Sequence, residues 1–204
     1  GSYRGAVGGK SQNACSACEA GHACAKGATA GSECSSGSFA ASEGLSVCID
    51  CAAGEYQADG GQSACDACDA GGYCGDGASS VALCGVGTFR STTGGVSEVS
   101  CSECGAGHAC FKGSVLKTAC DPGSYSIDGA SCVGCDAGSY QTLAAQSSCV
   151  PCPAGSYCLA RSSSALACAP GTFANSTGLS ACVDCAAGTY QSGSGQSACV
   201  QCDA

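Results

Sequence analysis

The chain has 204 residues, 24 cysteines and a net charge of −9. Leu, Ile, Val and Phe make up about 12% of it, below the roughly 20% needed for an ordinary apolar core, so cysteine has to replace that core. Seven scattered Lys and Arg form no basic patch, which excludes nucleic acid, and no apolar run approaches the ~18 residues of a membrane helix, so no membrane contact is expected within this segment.

In chain order, the unit is Cys-x-x-Gly-x-Tyr/Phe. Gly1-Ser2-Tyr3 matches the interior of one such cassette, which Cys15 would close, so residues 1–17 read as the end of a truncated repeat. Residues 18–67 hold a long unit followed by a 17-residue short unit. Residues 68–103 are a single long unit. Residues 104–151 and 152–201 again combine long and short units, and residues 202–204 open another cassette. The expectation is that the parent protein continues in both directions, leaving Cys15 and Cys202 without partners inside this stretch.

Eleven cysteines carry a glycine three residues later: Cys18, Cys34, Cys51, Cys68, Cys84, Cys104, Cys120, Cys135, Cys152, Cys168 and Cys185. In nine of these an aromatic stands at the fifth position, and Phe111 is the one aromatic outside the pattern. Glycine there permits a left-handed or crowded backbone. The short units continue Tyr-Gln and close with Gln-Ser-Ala/Ser-Cys. Turn-forming residues fill the segments after each ring, so 56–58 or 190–192 is expected to supply one rung of a small hairpin, and no helix is expected. The fold class that follows is small disulfide-rich repeats, mostly irregular with short β-hairpins. They are expected to form an elongated rod-like array whose units touch only their neighbours.

An even cysteine count of this size points to an oxidising, extracellular or cell-surface setting. Eight Cys-x-x-Cys pairs occur. If the first cysteine of each closes one cassette and the second opens the next, the bridges are Cys34–Cys48, Cys51–Cys65, Cys84–Cys101, Cys120–Cys132, Cys135–Cys149, Cys168–Cys182 and Cys185–Cys199. Short loops Cys18–Cys24, Cys68–Cys74, Cys104–Cys110 and Cys152–Cys158 complete the set. Crossed pairing within long units, such as Cys152–Cys168 with Cys158–Cys182, is the alternative, and spacing does not decide between them. A loop of this length contributes roughly 3 kcal/mol by restricting the unfolded chain. Zinc competes, because Cys48/Cys51 and Cys65/Cys68 have nearly ribbon spacing. A ribbon would leave Cys24 and Cys34 without partners, so no metal is expected.

Cys-Pro-Ala-Gly-Ser-Tyr-Cys at 152–158, followed by Cys-Ala-Pro-Gly-Thr-Phe at 168–173, resembles the ephrin-receptor-like cysteine-rich repeat. It is also similar to the first module of tumour-necrosis-factor-receptor repeats and to EGF-like repeats. The resemblance spans Gly1 to Cys202 and implies an extracellular disulfide module of the kind found in receptor ectodomains, matrix proteins and surface coats. The chain departs from it by having Ala-Gly in many cassettes where Pro-Gly is common, and by Ala23 and Ala109 in place of aromatics. The match lies in scaffold positions, so it carries over no ligand-binding residue.

No catalytic residue or cofactor is expected. His22 and His108 sit at equivalent cassette positions, as a repeated surface residue would. The acids are scattered and show no calcium-loop spacing. Asn175-Ser176-Thr177 is an N-glycosylation sequon. The sequence therefore reads as a non-catalytic extracellular structural protein, part of a surface filament such as a flagellar hair, a cell coat or a matrix. Its expected partners are neighbouring repeats, copies of itself or other surface and matrix proteins, and glycans. A ligand-binding or adhesion ectodomain of a receptor is the alternative, and a zinc protein the third reading.

Non-reducing mass spectrometry should show a mass deficit of about two hydrogens for every bridge, with few alkylatable thiols. Reactive thiols throughout the native protein, together with bound zinc, would refute the oxidised scaffold.

Overall fold

The computed structural model describes residues 1–5 and 15–203. Within them two-residue strands pair into two-stranded sheets, and a 3-10 turn at Glu98–Ser100 is the one helical element. Each hairpin is built the same way. The fourth and fifth residues after an opening cysteine pair antiparallel with the two residues before the next opening cysteine. Thus Glu55–Tyr56 pairs with Asp66–Ala67, and Ser139–Tyr140 with Val150–Pro151. The expected hairpins at 56 and 190 exist, but their strands are Glu55–Tyr56 and Thr189–Tyr190, one residue earlier than anticipated.

The turn explains the cassette motif. In Ala52-Ala53-Gly54-Glu55 the Glu55 N–H donates to the Ala52 carbonyl at 2.9 Å, and Gly54 at the third place has φ +93°. That is the requirement of a type II turn, which admits proline but does not need it at the second place. Asp121-Pro122-Gly123-Ser124 has the proline, and its bond is 3.0 Å. Ala-Gly and Pro-Gly cassettes therefore make one turn.

The chain forms two compact units. The first comprises Gly1–Gly85, Phe89–Ser102 and Lys112–Leu116, and the second Val86–Thr88, Glu103–Phe111 and Lys117–Ala204. Every disulfide closes inside one unit. In the first unit, the Cys34 and Cys51 cassettes are joined by backbone alone. The Cys51 N–H donates to Gly37 O at 2.9 Å, Gly37 N–H to Gln57 O at 2.7 Å, Gly61 N–H to Cys34 O at 2.8 Å, and Ala40 N–H to Gln62 O at 3.0 Å. The second unit repeats this between the Cys152 and Cys168 cassettes. Cys168 donates to Gly155, Gly155 to Ala174, Gly178 to Cys152 and Cys158 to Leu179, at 2.8 to 3.1 Å.

Contacts also skip a cassette, which corrects the expectation of immediate neighbours only. A Cβ on Gly37 would strike the carbonyl of Gly77, past the whole 51–67 unit, and one on Gly123 would strike that of Arg161, past the 135–151 unit. The invariant glycine thus answers two constraints, a positive φ and a backbone lying against its α-carbon. The residue that donates back to the preceding opening cysteine also has positive φ. It is glycine at Gly44, Gly61, Gly77, Gly94, Gly113, Gly178 and Gly195, but Ala145 (φ 58°) and Arg161 (φ 62°) fill the same role toward Cys120 and Cys135.

The core is cystine. Cys18, Cys34, Cys51, Cys68, Cys84, Cys120, Cys135, Cys152 and Cys168 are buried, whereas Val99, Ile127, Leu143 and Val183 lie at the surface. Disulfides replace aliphatic packing as the interior of each cassette.

Ala145→Gly is expected to raise stability by about 0.5–1 kcal/mol, because it relieves a left-handed alanine. Gly138→Ala should cost more than about 2 kcal/mol, adding backbone overlap to the φ penalty. Denaturant unfolding of the oxidised protein measures both, and an equal response would refute the assignment.

Candidate functional site

The repeated element is the cassette junction, and its geometry sets what the surface can offer. Eleven disulfides are present, in two sizes. Cys18–Cys24, Cys68–Cys74, Cys104–Cys110 and Cys152–Cys158 span six residues. Cys34–Cys48, Cys51–Cys65, Cys84–Cys101, Cys120–Cys132, Cys135–Cys149, Cys168–Cys182 and Cys185–Cys199 span 12 to 17, with Cα separations of 5.4 to 5.8 Å. Cys48, Cys51, Cys65 and Cys68, the four that match ribbon spacing, belong to three different bridges. Cys15 and Cys202 are exposed and unbridged.

The sixth position after the opening cysteine explains the two sizes. In the six-residue loops it is the closing cysteine itself, buried at Cys24, Cys74, Cys110 and Cys158. In the longer loops that space is taken by Ala40, Gln57, Ser126, Gln141 and Ala174, also buried. The glutamines brace the loop they enter. Gln57 Nε2 donates to Ala64 O at 2.8 Å and its Oε1 accepts from the Asp59 N–H at 3.1 Å. Gln141 makes the same pair with Ser148 and Leu143, and Gln191 with Ala198 and Gly193. The recurring Tyr-Gln carried this signal in the sequence, but nothing local says what the glutamine reaches.

The Cys84 cassette differs. Its sixth residue is Arg90, whose Nη1 donates to Ser100 O and Nη2 to Thr93 O, both at 3.0 Å. The cation thereby ties down the longest bridged loop, while Nε is buried without a partner. Cationic chemistry here is consumed by the fold.

The histidines occupy matching strand positions, His22 opposite Glu33 and His108 opposite Ala119, each half-buried with Nδ1 near the carbonyl of Ala20 or Ala106. They lie in different units. Asn175 is exposed, two residues beyond the Thr172–Phe173 strand. Among the described residues no group of three His, Cys, Asp or Glu is placed to hold a metal ion, and no helix is long and apolar enough to cross a membrane.

The repeated rings lie at the surface edge of each hairpin. Phe39, Tyr125, Tyr140, Tyr157 and Phe173 are half-buried, and Tyr190 is 49% exposed. Each stands directly across from an aliphatic residue: Ile49, Val133, Val150, Leu166, Val183 and Val200 in turn. Such cross-strand pairs contribute roughly 0.2–1 kcal/mol each.

The sequence profile of a family described as tyrosine-protein kinase ephrin type A/B receptor-like matches residues 37–84, 123–168 and 171–204, more than half of the chain. The matched segments hold both cysteines of the Cys51–Cys65, Cys68–Cys74, Cys135–Cys149, Cys152–Cys158, Cys168–Cys182 and Cys185–Cys199 bridges. None of the curated proteins compared matches the chain.

Gln141→Leu should cost about 1–3 kcal/mol, since it strands the Leu143 N–H and the Ser148 carbonyl. The check is amide exchange at Leu143, which should quicken while exchange in the Cys168 cassette stays as it was. Unchanged exchange at Leu143 would remove glutamine as the brace.

Proposed function

Since the chain belongs to the tyrosine-protein kinase ephrin type A/B receptor-like family, a receptor-type ectodomain repeat that is not itself catalytic, we propose that it is a non-catalytic, extracellular spacer in a cell-surface, coat, filament or matrix protein. The observation that supports this is the junction. Cassettes are joined by main-chain hydrogen bonds, and their interiors are closed by disulfides. Side chains are then free to vary, which suits an element whose task is to hold other parts at a set separation. Its partners would be neighbouring repeats, further copies of the chain or other surface and matrix proteins. The exposed Asn175 would carry a glycan.

The receptor or adhesion reading keeps support from the family itself. It differs in requiring a saturable ligand, so a soluble form of the chain would label cells bearing that ligand.

Pulled between two anchors, the oxidised chain should extend far less than the ~3.5 Å per residue that its length allows, because bridged loops stay shut, and reductant should release the remainder. Full extension without reductant would overturn the spacer reading. Passage through a secretory pathway should add an N-glycan that an amidase removes and that Asn175→Gln abolishes.

A further inference from the structure

Three departures from the repeat meet in the second unit. The first is Arg161, a bulky residue at φ 62° where most cassettes place glycine. The second is Gly134, which directly precedes Cys135; the other opening cysteines are preceded by residues bearing a side chain. The third is Phe111, the one aromatic outside the cassette position, 68% exposed.

At Gly61, Gly77, Gly113 and Gly195 the left-handed residue is bare and the strand residue, Glu33, Asp50, Leu83 or Ala167, supplies the side chain. Leu83 Cδ1 lies 3.3 Å from where a Cβ on Gly113 would be, and Asp50 Cγ 3.8 Å from one on Gly77. At Gly134 the roles are exchanged. The stem of Arg161 crosses the strand, with its Cδ 3.1 Å and Nε 2.9 Å from a would-be Cβ on Gly134, and Cγ closer still. Packing alone does not call for a guanidinium, since Ala145 shows that the left-handed place accepts a small residue. Among the described residues the Arg161 guanidinium has no hydrogen bond or ion pair, and it is exposed. It is also the sole Lys or Arg after Lys117. A left-handed, non-glycine residue costs roughly 1–2 kcal/mol, and such outliers gather at functional sites.

Arg161 borders a cleft of about 560 Å³, together with Phe111, Asp121, Pro122 and Ser131. We propose that this cleft docks an acidic peptide segment. The guanidinium fork takes a ligand carboxylate. Phe111 and Pro122 form an apolar wall for the flanking residue, and the Asp121 carboxylate, an acceptor only, takes peptide N–H donors. A sugar acid would meet the same guanidinium but leave the apolar wall unused. The site goes beyond the spacer reading and does not depend on it.

The test uses the oxidised full chain and a dye-labelled, N-acetylated pentapeptide with one Glu between aliphatic residues, followed by anisotropy. Saturable binding is expected that weakens with salt and falls at least tenfold when the peptide Glu becomes Gln, or with Arg161→Gln. Phe111→Ala should weaken it several-fold. Arg161→Gly separates binding from folding: it should unfold no more easily than the parent and still lose the peptide. Binding that survives Arg161→Gly or Arg161→Gln would sink the proposal. So would absence of binding at millimolar peptide, or Arg161-dependent capture of a glucuronate oligosaccharide in its place.

Discussion

The array depends on a turn whose glycine must give both its N–H and its C=O to the next cassette. Gly37 shows it: the N–H reaches Gln57 and the C=O receives the Cys51 N–H. Both groups are free for this only because the type II turn rotates the glycine peptide outward, at φ 82°. A second backbone, that of the cassette after next, then lies where a β-carbon would be. Main chain thus recognises main chain, and few side chains are needed to hold cassettes together, Asp76, whose Oδ1 accepts from the Ala53 N–H, being one. An Ala-, Gly- and Ser-rich composition is what such sparing use of side chains permits.

Cystine completes the arrangement from inside. A cassette of this length cannot bury enough hydrocarbon to stand alone. Its opening cysteine is buried, while aliphatic residues remain at the surface, Val99 at 91% exposure among them. The buried sixth position accepts a cysteine, an alanine, a serine or a glutamine because the disulfide and the main-chain bonds already define the loop. Arg90 is the exception that needs two carbonyls of its own loop to be accommodated.

What could be read from the sequence was the local part. Cysteine-to-glycine spacing announces the turn, ring spacing announces the strand, and the low aliphatic content announces a disulfide-rich, helix-poor fold of short hairpins. These are chemistry within six residues. The junction was not legible, because the left-handed donor stands nine residues after the opening cysteine at Gly77 and ten at Gly61, and is not glycine at Ala145 or Arg161. The offset, nine in cassettes with a six-residue loop and ten in those with a longer one, follows a loop size that cysteine spacing alone did not settle. The cleft at Arg161 was hidden for the same reason, since Phe111, Pro122, Gly134 and Arg161 come from three cassettes that only the skipping contact brings together. The glutamine brace lay in plain view at Tyr-Gln, yet its acceptor seven residues away was set by loop shape and not by pattern.

A cystine interior also changes how stability responds to temperature. The curvature of a protein's stability curve comes from the heat capacity gained when apolar surface meets water on unfolding. Here much of the aliphatic surface meets water already, and cross-links keep the unfolded chain compact, so little further surface is uncovered. The stability curve of such a chain is shallow. It varies little between cold and warm surroundings, and its breadth rests on covalent connectivity more than on the solvent.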